Sequence, residues 1–380
     1  MRDHLHLILS TDATIDDIER YGMLAWMRAM VETYGAAFEL DFYTADHRSC
    51  SDLLGVRHHP CCPRALSFLP RRIRQLIFYA ALLFRAPRMK GVIRVLSPNM
   101  AILPEIRGLS QTPTIADFHY DWSEKTRADY RGPKRALAGF VQRRCMRGAD
   151  LVIASTAELR HRAKEEYSRR VIHIPNFVDQ TLFHPGRERE RKVVFAGRLH
   201  WAKGCDVLVE AFRRIAPRHP EVNLVIMGAG EEEERILNLV PPDLRDRVEL
   251  LGSVPQAELA AQLGSAAIFA FPTVTVEGQP KALIEAMACG TPCVGTSVPG
   301  VEGLIRDGHN GLLVAPGDAG ALAHALDRLI SDENLWRRLS ENCLKTSRRF
   351  EKEPVLRRQV RVMRWWASRN GKRDSAIDQC

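Results

Sequence analysis

The sequence predicts an α/β protein built as two doubly wound, Rossmann-like domains facing a cleft. Three observations carry that expectation. The chain has 380 residues, too many for one ordinary core and suited to two domains of roughly 150–200 residues each. Short apolar strands alternate with helix-length segments, the pattern of parallel βαβ units. That rhythm stops at a charged, Pro/Gly-containing stretch at residues 183–191 and then restarts. The expected domains are therefore 1–185 and 186–350, with 351–380 as a C-terminal helix that can pack back across the boundary.

In the first half, residues 5–10 read as a strand, and helical spacing follows through Ile18, Met23, Trp26, Met27 and Met30. Residues 38–43 read as the second strand, completing an opening βαβ unit. Residues 70–85 start basic and become continuously apolar from Leu76 to Phe84. Residues 92–96 and 114–117 read as further strands. The latter ends in Asp117-Phe-His-Tyr-Asp121, just outside a strand's carboxyl end, where open α/β sheets place ligands. A basic helix over 131–147 and a strand over 150–154 complete the pattern before the connector.

Charge and cysteines exclude several function classes. The net charge is +9, and the stretch 53–104 contains no Asp or Glu but holds Arg57, Arg64, Arg71, Arg72, Arg74, Arg85, Arg88, Lys90 and Arg94. Those nine account for the whole excess of basic over acidic residues, so the cationic character is local. Arginines flanking nine apolar residues fit an interfacial helix on an anionic membrane surface; the plain structural reading is a buried helix whose arginines face solvent. No nucleic-acid-binding motif accompanies the arginines, so nucleic acid is not an expected partner. No apolar run approaches the roughly 20 residues of a spanning helix, and the amino-terminal run is too short for a secretory signal. The expected location is cytoplasmic, peripheral on the inner face of the cell membrane. Nine cysteines without a CxxC pair indicate neither a zinc site nor a disulfide framework.

In the second half, strands are expected at 192–197, 222–228, 247–252, 267–271 and 292–295, with an amphipathic helix at 206–215. The loop Gly197-Arg-Leu-His-Trp-Ala-Lys-Gly204 follows the first of these strands and can present Arg198 and Lys203 to a pyrophosphate. Two solvated loop cations are the plain alternative. Met227-Gly-Ala-Gly-Glu231 closes a later strand; it is not GxGxxG, so no nicotinamide or flavin fingerprint is offered. Glu277-Gly-Gln-Pro-Lys-Ala-Leu-Ile-Glu285 is a loop opened by one acid that runs into a helix carrying another. Its helix N-terminus suits a phosphate, while both acids can equally serve only to favour that terminus.

In order, Gly-Arg-…-Lys-Gly, Met-Gly-Ala-Gly, Leu251-Gly-Ser-Val-Pro255, Glu277-x7-Glu285 and Gly308-His-Asn-Gly-Leu-Leu-Val314 resemble the retaining glycosyltransferases of the GT-B fold, family 4. The resemblance is dense over roughly residues 190–320 and thinner in the first half, through Asp117-Phe-His119 and Ile174-Pro-Asn-Phe-Val-Asp179. It implies transfer of a sugar from a nucleotide-sugar donor to a glycan or lipid-linked acceptor.

Residue roles follow from the resemblance. Arg198 and Lys203 would bind the donor diphosphate and stabilise the leaving charge. Glu277 would hold sugar hydroxyls, and backbone N–H groups from Gly278, Gln279, Pro280's neighbours, Lys281 and Ala282 would meet sugar and phosphate. Glu285 would grip the ribose, Gly228 and Gly230 would line the nucleotide pocket, and Val254 would lie along the base. His119 would reach the donor sugar across the cleft. No Asp-x-Asp is present, in keeping with metal-independent transfer and no cofactor. Ser10–Glu19 lacks the Gly-Gly turn of many relatives, and Asn176-Phe177 stands where Asn-Gly is common. A nucleotide-sugar 2-epimerase and a non-catalytic sugar-nucleotide-binding or scaffold subunit are the competing readings; Glu-x7-Glu argues against the first, and intact Arg198, Lys203, Glu277 and Glu285 against the second.

Overall fold

The structure is a computed structural model and describes residues 3–9, 24–45, 55–62, 64–66, 68–121, 133–167 and 170–368. The expected helical positions Ile18 and Met23, and the turn at 10–19, lie outside these residues. The chain divides into two compact units, 1–175 with 353–380, and 176–352.

The first unit runs β1 (His4–Ile8), α1 (Leu24–Ala37), β2 (Glu39–Thr44), β3 (Arg57–Pro60), α2 (Arg71–Arg85), β4 (Val92–Val95), α3 (Leu103–Ser110), β5 (Thr114–Phe118), α4 (Pro133–Gly148), β6 (Leu151–Ala154), α5 (Ala157–Glu166) and β7 (Val171–His173). Its seven strands are all parallel, in the order β3-β2-β1-β4-β5-β6-β7. Strands β4, β5 and β6 are buried at every position, as expected for a parallel sheet covered on both faces. Phe78 and Leu82 of α2, Leu103 and Ile106 of α3, and Cys145 and Met146 of α4 share one core cluster with Ile93, Ala116 and Val152. These three helices therefore form one layer on one face of the sheet. Helix α5 starts at Thr156, whose hydroxyl accepts the Leu159 N–H at 3.1 Å, the usual N-cap arrangement.

The second unit runs β8 (Lys192–Ala196), α6 (Cys205–Ile215), β9 (Asn223–Met227), α7 (Glu233–Leu239), β10 (Val248–Gly252), α8 (Gln256–Ser265), β11 (Ile268–Phe271), α9 (Lys281–Ala288), β12 (Cys293–Thr296), β13 (Leu312–Val314), α10 (Ala319–Ser331) and α11 (Glu333–Ser347). Its sheet is again all parallel, in the order β10-β9-β8-β11-β12-β13. Strand residues of alternate parity enter separate clusters: Val193 and Phe195 pack beneath α6 and α10, while Val194 and Ala196 face α8 and α9. That alternation is the period-two geometry of a strand between two helical layers.

Chain order three-two-one-four-five-six thus recurs in both units, each with a topological switch beside its first strand. The segment read as a connector, 183–191, lies along the second unit: Gly186 and Glu190 N–H groups donate to the Gly264 and Ser265 carbonyls at 2.9 and 2.8 Å. The final helix, α12 (Lys352–Ser368), buries Val355, Leu356, Gln359, Val362, Met363 and Trp366. Its contacts in the first unit include Tyr34 hydrogen-bonded to Gln359 and Arg170 over the Trp366 ring at 5.7 Å. Strand β3 and helix α3 have no counterpart in the sequence reading; both are short and carry weak periodicity.

Candidate active site

In the second unit β8 and β11 are neighbours at the switch point, and the loops leaving their carboxyl ends carry the candidate chemistry. The β8 loop turns through a 3₁₀ turn, Trp201–Lys203, and ends at Gly204. There φ is +65°, and an added Cβ would sit 2.1 Å from the Pro272 carbonyl oxygen, so only glycine fits. The two loops are stitched together. Val274 N–H donates to Ala202 O at 2.9 Å, and the Thr273 hydroxyl lies 2.9 Å from Ala202 O and 2.8 Å from Glu277 Oε1. Its single proton serves one acceptor at a time.

This stitching delivers Lys203 to Glu277, with Nζ 2.5 Å from Oε1. The Glu277 N–H donates to Pro299 O at 3.1 Å, which fixes its backbone. Lys203 Nζ also lies 5.6 Å from the Phe271 ring centre, within cation–π range. The sequence-predicted Lys203 and Glu277 are thus brought together as a partly buried ion pair. Arg198 is held elsewhere, by Glu231 at 3.1 Å, with both side chains about half exposed. His200, which accepts the Ala202 N–H at Nδ1, points Nε2 toward the same Glu231 at 3.4 Å.

The Glu277 loop then enters α9. Pro280 provides no side-chain cap, so the first N–H groups of α9 have no partner from a capping side chain. Lys281 at the start of α9 and Glu285 one turn further each retain some surface but are packed round by protein. Dehydration pushes the Glu285 carboxyl up to about 7, opposed by the Lys281 charge; it pushes the Lys281 ammonium down to about 8, opposed by Glu285. Among the described residues no hydrogen bond reaches the Glu285 carboxylate. A dehydrated acid of this kind gains from ligand hydroxyl donors. The Gln279 side chain faces another way: its Oε1 accepts the Asn176 N–H at 2.6 Å, and its carbonyl accepts from Asn176 Nδ2 at 3.0 Å.

The glycines of Met227-Gly-Ala-Gly have a packing reason. A Cβ on Gly228, at φ +138°, would stand 1.8 Å from Gly197 O, and one on Gly230 would stand 2.0 Å from Leu199 O. The β8 and β9 loops run in contact, and Gly228 N–H donates onward to Gly252 O at 2.7 Å. Val254 packs against the adjoining core. Gly308-His-Asn-Gly is a tight turn, in which Asn310 Oδ1 accepts the Arg306 N–H and Nδ2 donates to Leu304 O. Sequence reasoning missed Thr273, Thr296, Glu231 and Gly300. The Thr296 hydroxyl donates to Thr273 O at 2.5 Å, and a Gly300 Cβ would meet the Gly278 carbonyl at 2.3 Å. Only the Pro299-Gly300 dipeptide signalled a turn.

In the first unit His119 follows β5 directly. Its Nε2 lies 3.3 Å from Asp117 Oδ2, its ring meets Trp26 edge-on at 6.4 Å, and its buried Nδ1 has no hydrogen-bond partner. An Nε2–H donated to Asp117 leaves a lone pair on Nδ1. Asp117 is itself clamped by Arg94 from β4, with Nε at 3.0 and 3.2 Å from the two oxygens and Nη2 at 2.9 Å. Arg94 Nη1 donates to the Tyr34 hydroxyl at 2.6 Å and to Gln359 at 3.3 Å. Burial opposes the Asp117 charge, but Arg94 and His119 outweigh it and hold the carboxyl below its usual range. This corrects the reading of 53–104 as one cationic surface. Arg94 is 1% exposed, Arg57 pairs with Asp41 at 3.4 Å, and Arg85 bonds His59 at 3.0 Å.

Among the described residues no group of three His, Cys, Asp or Glu side chains forms a metal-binding cluster. No helix among them is long and apolar enough to cross a membrane.

Two parallel switch-point sheets, the second presenting a cation–carboxylate pair beside an uncapped helix, form a fold of the GT-B type. The chain is similar to a sucrose-phosphate synthase from Thermosynechococcus elongatus, with a TM-score of 0.78 and 22% identity over 96% of this chain and 99% of that one. It is similar as well to HepE from Anabaena in complex with UDP and glucose, with a TM-score of 0.77 and 17% identity over 95% and 100%. Residues 190–332, inside the second unit, match the family model Glycosyl transferases group 1. An exopolysaccharide phosphotransferase of Streptomyces coelicolor is 34% identical over 190 residues, 50% of this chain and 20% of that protein. A phosphatidyl-myo-inositol mannosyltransferase of Mycobacterium leprae is 34% identical over 173 residues, 45% of this chain and 46% of that protein. The chain spans a fifth to just under half of the length of these curated relatives.

Proposed function

We propose that the protein is a retaining glycosyltransferase that moves a sugar from a nucleoside-diphosphate donor to a glycan or lipid-linked acceptor at a membrane surface, with no metal required. The observation that carries this is the Lys203–Glu277 pair at the β8/β11 switch point, one short loop before the dehydrated Glu285. Entry of a diphosphate would draw Lys203 off Glu277 and free that carboxylate for sugar hydroxyls. Arg198, half exposed, would swing from Glu231 to the same anion. The N–H groups at the start of α9, from Lys281 and Ala282, would meet phosphate oxygens, while Glu285 would accept ribose hydroxyls. Gly228, Gly230 and Val254 would shape the base side of the site.

In the transfer the anomeric C–O bond to phosphate breaks and its electron pair leaves on the diphosphate. The acceptor hydroxyl bonds to the same face of the sugar and passes its proton to a phosphate oxygen. Cations already aimed at the developing phosphate charge stabilise that step. Glu277 positions the sugar and is not a nucleophile. Within the first unit, His119 held by Asp117 offers Nδ1 as a hydrogen-bonding group.

The membrane part rests on one helical layer. Among the described residues, seven of the ten exposed large hydrophobics, Phe68, Ile73, Leu76, Phe84, Leu109, Leu137 and Phe140, lie on α2, α3, α4 or just before α2. Ile73, Leu76, Ala80 and Phe84 share one face of α2, with Arg72 and Arg88 nearby and also exposed. An apolar face edged with arginine fits an anionic bilayer.

The test is nucleotide release by the full chain from UDP-, GDP- and ADP-sugars. UDP-glucose comes first, since HepE is described with UDP-glucose. Turnover of one donor, reduced at least a hundredfold by Glu277→Gln, supports the proposal. No release and no thermal stabilisation by any donor would sink it and favour a non-catalytic subunit.

A further inference from the structure

A cavity of about 660 Å³ opens between α3 and α4 in the first unit, lined by Arg107, Phe140, Arg143, Arg144, Arg147 and Asp150 among others. We infer that it is a binding site for a phosphate group, separate from the reaction centre, and that an anionic phospholipid supplies that phosphate. The source, though not the site, rests on the membrane reading above.

The chemistry begins with spacing. Phe140, Arg143, Arg144 and Arg147 stand at i, i+3, i+4 and i+7 of α4 and share one face of that helix. Arg107 joins them from the last turn of α3. Arg107 is paired with Asp150 at 2.5 Å, Arg144 with Glu105, and Arg147 donates to the Glu166 carbonyl at 3.2 Å. Arg143 has no carboxylate partner among the described residues. Four guanidinium groups therefore meet two carboxylates, leaving a surplus of two positive charges for a dianion. A guanidinium fork matches phosphate oxygens two at a time.

The bland explanation is that arginines near helix carboxyl ends complement the helix dipole. It accounts for Arg147, which meets the α5 terminus. It does not account for Arg143, nor for Phe140, an aromatic ring 54% exposed beside the cluster. Place in the fold excludes a role in the bond-breaking step. Pro113 and Asp150, which line the cavity, precede β5 and β6, whereas His119 follows the opposite end of β5. Five strand residues span about 16 Å, so a phosphate held here is not the one that departs. The cavity belongs to the layer that exposes Ile73, Leu76 and Phe84, which places a phosphate site within an apolar, cationic face.

The experiment uses the full chain with phosphatidylcholine vesicles doped either with phosphatidic acid or with oleate, at matched surface charge. Wild type should bind the phosphatidic acid vesicles at least tenfold more tightly. Arg143→Gln/Arg147→Gln should lose that preference. Arg72→Gln/Arg88→Gln, which removes equal charge from α2 and the turn that follows it, should weaken both interactions alike and keep the preference. Glycerol 3-phosphate should raise the melting temperature of wild type but not of the cavity variant. Should vesicles fail to bind while glycerol 3-phosphate still stabilises through Arg143 and Arg147, the site stands and the lipid source falls. Vesicle binding without phosphate preference, or equal losses in both double variants, overturns the site and leaves diffuse charge. A circular dichroism spectrum matching wild type confirms that each variant is folded.

Discussion

Replacing Arg94 with methionine should destabilise the first unit by about 3–5 kcal/mol at neutral pH. The side chains of Arg94 and Asp117 are 1% and 0% exposed, and three N–H···O contacts join them at 2.9–3.2 Å. Removing one partner of a buried ion pair leaves an uncompensated charge, which costs about 3–5 kcal/mol. Tyr34 and Gln359 also lose the Arg94 donor, so the upper half of that range is expected. Against a native stability of about 5–15 kcal/mol that loss removes a large share of the margin. The pH dependence distinguishes this cause from simple loss of packing. In wild type Asp117 is held below its usual range, so its contribution is present above the unfolded carboxylate value and lost as pH falls through the folded one. Without Arg94, burial dominates and the carboxyl moves up; the penalty then grows as pH rises above the ordinary value, by at most about 1.4 kcal/mol per pH unit. Hydrogen exchange of a β5 peptide against denaturant, at pH 5.5 and 7.5, reports the first unit alone. A cost below about 1 kcal/mol, or equal costs at both pH values, would refute the reasoning.

Three further outcomes are expected. Gly228→Ala, whose Cβ would stand 1.8 Å from Gly197 O, should collapse second-unit stability by more than about 3 kcal/mol. Gly252→Ala, with φ +65° but nothing within 4 Å, should cost only about 1 kcal/mol; urea unfolding compares the two. Donor affinity should weaken as pH falls through about 7, where Glu285 takes up a proton, and Glu285→Gln should flatten that dependence in a calorimetric titration. Burial lowers the pKa of His6, against the pull of Asp41, so the folded state holds this imidazole neutral where the unfolded chain would charge it. Stability of the first unit should therefore fall as pH drops below about 6.5, and His6→Gln should remove part of that slope.

Strands and switch points were legible because fully buried parallel strands leave continuous apolar runs, such as Val92-Ile-Arg-Val and Leu151-Val-Ile-Ala. Arg94 shows the limit of that reading. A single arginine inside such a run looks like part of the surrounding basic segment, and its partner Asp117 lies on the next strand, invisible to local spacing. Motif order likewise exposed Lys203 and Glu277, far apart in the chain yet 2.5 Å apart in space. Thr273 and Gly300 were not legible, since their roles are to stitch one loop's backbone to another's. The glycines after β9 were noticed for ligand approach, whereas loop-to-loop contact already requires them. Arg143 and Arg147 were read only as positions on a basic helix; their neighbour Arg107 comes from α3, an element the sequence did not reveal.

On this reading the β8/β11 switch point binds a nucleoside diphosphate through Lys203. Isothermal titration of UDP, then GDP and ADP, into wild type and Lys203→Ala tests it most directly. Wild type should bind one nucleotide saturably, and the variant should bind it at least tenfold more weakly, a loss of about 1.4 kcal/mol or more. Undiminished affinity in Lys203→Ala, or no binding of any of the three by wild type, would contradict it.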